Sequence, residues 1–169
     1  MSGPPEPLPG SPPEPVQVVK ERRDAALSRL VEAIPYARFL QLRFDRRGDE
    51  LTAVLPFRPA LIGNPGPPAL HGGATASFLE VAAVVQLAWA QSWEAMEAGT
   101  IPPEAPLRLP KTIDFAVDYL RTGLPRDAYA RARVARSGRR YASVHVEAWQ
   151  DNRDRPFAQA SGHFLMPET

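Results

Sequence analysis

The stretch Asn64–Trp93, NPGPPALHGGATASFLEVAAVVQLAWAQSW, constrains this chain more than any other. It opens with proline and glycine, then runs on from Gly72 with a single ionisable residue, Glu80. Phe78, Leu79, Val81, Val84, Val85, Leu87 and Trp89 stand among alanines, so the segment predicts a helix that is hydrophobic nearly all round. Such a helix is normally enclosed by the rest of its protein. At roughly 1.5 Å per residue it would run about 30 Å, the width of a small domain. A membrane span is the competing possibility for so apolar a run. The alanine content, Glu80, Gln86 and strand-like flanks favour a buried central helix instead.

Glu80 is the anomaly. Carboxylates are rarely enclosed unless paired or employed. Its neighbours one turn away are Ala76, Ser77, Ala83 and Val84, so no charged face is available to it. Gly73, Ala76 and Ser77, before it on the same side, are all small. They either let the helix pack closely on a sheet or leave a groove leading to the carboxylate.

A length of 169 residues suits one ordinary domain with a real core. A net charge of +1 gives no ground for bulk binding to nucleic acid or an anionic membrane. The chain has no cysteine, so disulfides, thiolate metal sites and a cysteine nucleophile are excluded. Only His71, His145 and His163 could supply imidazole, which makes a histidine-based metal site a poor expectation. No charged segment followed by an apolar one stands at the N-terminus, and a cytoplasmic location is expected.

Residues 1–15 hold seven prolines and few apolar residues, so they read as a disordered tail before one domain over 16–169. From Val16 an amphipathic helix is expected, with Val18, Val19, Ala26, Leu27, Leu30, Val31 and Ile34 on its apolar side and Pro35 as its stop. The period then changes to two. Leu40–Arg46 and Glu50–Phe57 flank Arg47-Gly48-Asp49 as a hairpin. Pro59–Leu70 reads as a loop that delivers the chain to the central helix, which should fade between Ala95 and Gly99. Four strands follow, at 111–121, 126–136, 139–151 and 156–166, as an antiparallel meander. The order implies an α+β domain, one antiparallel sheet wrapped around one helix with an extra N-terminal helix.

That order, together with HGGATASFLE, resembles the hotdog-fold acyl-CoA thioesterases of the phenylacetyl-CoA type. Their signature is a loop asparagine, His-Gly-Gly, and an acid nine residues after the histidine; here these are Asn64, His71-Gly72-Gly73 and Glu80. AIPYARFLQLRF, ELTAVLPFRP, KTIDFAVDYLR and SGRRYASVHVEAWQDNRDRPFAQASGHFLM look like that family's strands in its order, over roughly Ile34–Met166. Asn64 stands seven residues before His71, a longer and more proline-rich loop than the family usually shows.

The resemblance implies hydrolysis of an acyl-CoA thioester with a small aromatic or medium-chain acyl group, without cofactor or metal, coenzyme A being part of the substrate. The Gly72 amide, at the positive end of the helix, would polarise the thioester carbonyl. Glu80 would act as base or nucleophile. Asn64 would hydrogen-bond the carbonyl or position water, Thr112 would orient the nucleophilic water, and His71 would shape the loop or act as a base. Gly73, Arg139 and Arg140 are expected near coenzyme A, the arginines by its phosphates. Gly72 and Glu80 lie about 12 Å apart by helical rise. The resemblance resolves that separation by drawing the acid from the facing subunit of a homodimer, itself expected to pair into a dimer of dimers. The alternatives are a non-catalytic acyl-CoA binder or sensor, which has no use for such a carboxylate, and a hotdog dehydratase, which His71 followed by glycines fits poorly.

Overall fold

The computed structural model describes residues 13–102, 105–106 and 108–168. Residues 1–12 of the proline-rich tail lie outside that set. Helix α1 spans Val16–Glu32 and buries Ala26, Leu27, Leu30 and Val31. Pro35 does stop it, but the same proline opens a short α2, Pro35–Phe39. Its fixed φ and missing N–H suit the first turn of a helix, where the amide would have no partner. Strands β1 (Arg43–Arg47) and β2 (Glu50–Leu55) form the expected hairpin, with Gly48 at φ +61° in the turn. Only glycine takes that conformation without steric cost.

The expected loop at 59–70 is more ordered than its prolines suggest. A 3-10 turn at Pro59–Leu61 leads into a small hairpin of β3 (Ile62–Pro65) and β4 (Pro68–Leu70). Helix α3 then runs Gly72–Glu97. Strands β5 (Lys111–Tyr119), β6 (Ala128–Ser137), β7 (Tyr141–Trp149) and β8 (Ala158–Leu165) complete the chain. Six strands form one antiparallel sheet in the order β1-β2-β6-β7-β8-β5.

Helix α3 crosses the inner face of this sheet, and α1 packs along its other side. Phe78, Leu79, Val85 and Leu87 are buried there with Val144, Val146 and Phe164 of the sheet. Each such side chain stabilises the fold by about 1.5–3 kcal/mol. The sheet's inner positions are otherwise mostly alanine, including Ala53, Ala128, Ala130, Ala148, Ala158 and Ala160, all at most 1% exposed. Small side chains let a long helix lie close to the strands. At the far end of α3, Arg23 of α1 ties Glu97 at 3.0 Å and lies over the Trp93 ring. The outer face of the sheet is polar: His163 pairs with Asp114 at 2.9 Å and His145 contacts Ser161 at 3.2 Å.

Candidate active site

Helix α3 is not enclosed all round. Gly73 is exposed, and Ala76, Ser77, Glu80 and Val84 are half-buried, forming an open flank along an otherwise covered helix. The expectation of a helix enclosed nearly all round is corrected accordingly, and of the two readings of the small residues before Glu80 the groove is the one observed. The Glu80 carboxylate meets solvent on one side, and on the other accepts a hydrogen bond of 2.5 Å from the Thr112 hydroxyl. A hydroxyl donating to a carboxylate is among the stronger side-chain hydrogen bonds, and it fixes one oxygen while leaving its neighbour free.

Thr112 reaches Glu80 because β5 is bulged. The ladder with β8 pairs Thr112 with Phe164 and then Asp114 with His163, skipping Ile113. Strict alternation would put Thr112 on the outer face with Asp114, Ala116 and Asp118. The extra residue reverses that parity, so Thr112 shares the inner face with Phe115, Val117 and the buried Phe164. Gly162 keeps this register compact, since a Cβ there would stand 2.5 Å from the Phe115 ring.

The mouth of α3 is built from His71, Gly72 and Gly73. His71 is the N-cap, and its Nδ1 accepts the Gly73 N–H at 2.9 Å. That bond satisfies one of the orphan amides of the first turn. Both flanking glycines are required by the ring: a Cβ on Gly73 would lie 2.9 Å from Nδ1, and one on Gly63 within 2.9 Å of the His71 side chain. His71 therefore shapes the loop, with Nδ1 committed to the cap. Gly73 gives its amide to that cap, which leaves the Gly72 N–H, at the first helical position, without an intrahelical acceptor. Tyr119, at the far end of β5, donates its hydroxyl to the Gly72 carbonyl at 2.8 Å.

Asn64 lies exposed in β3, and its side-chain oxygen accepts the Gly66 N–H at 3.2 Å across the hairpin turn. Its carboxamide thus serves the turn, and no hydrogen bond joins it to Glu80 or Gly72 among the described residues. Arg139 and Arg140 occupy the tight turn before β7 and line a cleft of ≈ 330 Å³ with Leu165, Met166 and Glu168. Leu165 pairs with both Lys111 and Tyr141, so this turn sits at the same end of the sheet as Thr112. A neighbouring cleft of ≈ 620 Å³ adds Arg108 and Lys111. Four cations therefore gather near the Thr112 end of β5. Sequence reasoning missed Arg108, Lys111 and Tyr119. The two basic residues flank Pro110 just before the strand, a signal that was available, whereas nothing local marks Tyr119.

Residues 63–165 match the family model described as the acyl-CoA thioesterase N-terminal domain. The chain is 35% identical over 118 residues to the medium/long-chain acyl-CoA thioesterase YigI of Escherichia coli, covering 68% of this chain and 74% of that protein. Among solved structures, a Chromobacterium violaceum protein is 34% identical with a TM-score of 0.61, over 90% of this chain and 98% of that one. A Bacillus halodurans protein solved with CoA shares the fold at 20% identity and a TM-score of 0.60, over 95% and 98% of the two chains. A helix mouth whose Gly72 amide has no intrahelical acceptor, a carboxylate held by a threonine on the open flank of that helix, and a match spanning both place this chain in the acyl-CoA thioesterase family of hotdog-fold thioester hydrolases.

Proposed function

We propose that this chain hydrolyses medium- to long-chain acyl-CoA thioesters as a homodimer whose two sites are each shared between subunits. The observation that carries the proposal is the Thr112–Glu80 hydrogen bond on the open flank of α3. It presents a carboxylate with one oxygen anchored and the other free to take a proton from water. The acyl class follows that of the 35% identical relative, which overlaps the medium-chain half of the small aromatic or medium-chain expectation drawn from the sequence.

The two halves of the chemistry lie at opposite ends of one edge strand. Glu80 is tied to β5 through Thr112, and Gly72 through Tyr119. Strand β5 has β8 as its partner on one side only. When two copies pair antiparallel along β5, the Thr112 end of one lies beside the Tyr119 end of the other. Glu80 of one subunit then faces the Gly72 amide of its partner, which one subunit alone cannot arrange across about 12 Å of helix.

In that site the thioester carbonyl oxygen accepts the Gly72 N–H, and the positive end of α3 stabilises the oxyanion as it forms. Glu80 removes a proton from water as its oxygen bonds to the carbonyl carbon. Collapse breaks the C–S bond, and the thiolate of coenzyme A takes the proton from Glu80. Asn64 would join this site by turning its carboxamide from Gly66 to the substrate. Arg139, Arg140, Arg108 and Lys111 offer the charge that the phosphates of coenzyme A need. The reaction as written requires neither metal nor cofactor.

The test is complementation. Glu80→Gln, and separately Gly72→Pro, which removes the amide at a position where proline is tolerated, should each lower kcat at least about a hundredfold. Mixed after subunit exchange, they should recover about a quarter of wild-type activity, since statistical pairing gives half heterodimers with one intact site each. Two inactive homodimers with no recovery on mixing would place both groups in one subunit. Full activity in Glu80→Gln would remove the carboxylate from the chemistry.

A further inference from the structure

The backbone at the mouth of α3 is pinned on both sides of its unused amide. The Leu70 N–H donates to the Gly123 carbonyl at 2.9 Å, and the His71 N–H to the Leu61 carbonyl at 2.8 Å. The Gly73 N–H is taken by His71 Nδ1. The His71 carbonyl, in the same peptide plane as the Gly72 N–H, accepts from the Thr75 N–H at 3.0 Å. From Leu70 to Gly73, the Gly72 N–H is thus the one amide without an acceptor among the described residues.

The next peptide plane begins at the Gly72 carbonyl, and the two planes meet at a residue with no Cβ to limit their rotation. Within the helix that carbonyl accepts from Ala76, four residues on. A second hydrogen bond reaches it from outside the helix, donated by the Tyr119 hydroxyl at 2.8 Å. The tyrosine ring also lies where a side chain at position 72 would stand, since a Cβ there would be 3.3 Å from Oη and 3.4 Å from Cζ. Hydroxyl and ring therefore both bear on the residue whose N–H is free. Tyr119 ends β5 and is 55% exposed, so it contributes little to the core. Its hydroxyl makes no other side-chain hydrogen bond among the described residues.

We propose that Tyr119 is a positioning residue for the oxyanion donor: its hydroxyl holds the Gly72 carbonyl so that the Gly72 N–H keeps its aim on the thioester carbonyl. The inference rests on the acyl-CoA hydrolysis proposed above and adds a residue that acts through Gly72 without touching the reacting atoms. The single phenolic proton is already given to the Gly72 carbonyl, so Tyr119 is not itself a second oxyanion donor in this geometry. A donor fixed in advance does not have to turn as charge develops on the oxygen. Misplacement by about 1 Å can cost up to about a hundredfold in rate.

The experiment is Tyr119→Phe, which keeps the ring and removes the hydroxyl. On palmitoyl-CoA, kcat should fall about tenfold, with KM within about twofold of wild type and the mass in solution unchanged. A second readout needs no turnover. Affinity for the trifluoromethyl ketone analogue of palmitoyl-CoA, whose hydrate resembles the tetrahedral intermediate, should fall by about the same factor as kcat. The thioether S-hexadecyl-CoA has no carbonyl and should bind as it does to wild type. A residue that merely braces the fold would weaken both ligands or neither, and either result would overturn the proposal. Wild-type kcat in Tyr119→Phe would overturn it while hydrolysis stood. A raised KM with kcat unchanged would make Tyr119 a substrate contact instead. A wild-type protein that hydrolyses no acyl-CoA would remove the enzymatic reading itself, and the role of Tyr119 with it.

Discussion

The two edges of the six-stranded sheet are built on opposite principles. At one edge, β1 is five residues long and four of them are charged. Arg46, whose side chain is only 6% exposed, donates to Asp24 at 2.9 Å and to the Gly48 carbonyl at 2.7 Å, binding the edge to α1 and to its own turn. Short length, charge and a covering helix are the usual ways of closing a sheet edge against further pairing. At the other edge, β5 is nine residues long, with Ile113 54% and Tyr119 55% exposed. Nothing among the described residues pairs with its free side. One edge is finished within the subunit; the other is the edge along which a second copy would pair in the arrangement proposed above, and it carries the Thr112 and Tyr119 contacts to α3.

The largest expected effect comes from giving β5 the protection that β1 already has. Ile113→Glu puts a carboxylate at the bulge, where a partner's strand would lie. Size-exclusion chromatography with light scattering should report a monomer, and kcat should fall by at least about two orders of magnitude, as though the composite site were dismantled. The matched change at the other edge, Arg43→Glu in β1, should alter neither mass nor kcat. If both variants remain dimeric and active, β5 is not the interface and the contrast between the edges has no functional content.

A smaller effect is expected from the residue that holds Glu80. Thr112→Val keeps the shape of the strand and removes the hydroxyl that holds Glu80. Hydrogen bonds to charged groups contribute about 1.5–3 kcal/mol, so kcat should fall roughly 10- to 100-fold with mass unchanged. Thr112→Ser should restore most of it. A drop in Thr112→Val that serine does not rescue would assign the residue to packing in the strand.

This pair of residues also marks the boundary of what the chain discloses as text. The alternation in Ala128, Ala130, Ala132 and Val134 and in Val144, Val146 and Ala148 gives the strands, because one face of each lies on α3 and period two is a local property. The helix is legible for the same reason, since Gly72–Trp93 has only Glu80 to offer water as a charge. The contact between Thr112 and Glu80 is not local. Counting by twos sends Thr112 outward, and only the pairing of Phe164 and His163 with β5, some fifty residues away, reveals the bulge that turns it inward. The motif suggested the partnership; the register explains how it is achieved. Pro35 misleads in the opposite way: a helix stop by its effect on the residue before it, it is also a helix start, and which role it plays depends on where the chain turns next.

The smallest effect belongs to the finished edge, and it should appear in stability alone. Arg46→Ala removes a nearly buried guanidinium from Asp24, the Gly48 carbonyl and the Lys20 carbonyl. Its partner Asp24 is 43% exposed and regains water when the arginine goes, so the cost is well below that of stranding a buried charge. A loss of about 1–2 kcal/mol is expected, which lowers Tm by roughly 2–8 °C in a domain of this size. Mass and kcat at 25 °C should stay at wild-type values, because in the arrangement proposed above the substrate and the second subunit both meet the opposite edge. A dimer that dissociates in Arg46→Ala would mean that β1 holds the subunits as well, and the two edges would then differ in degree rather than in kind.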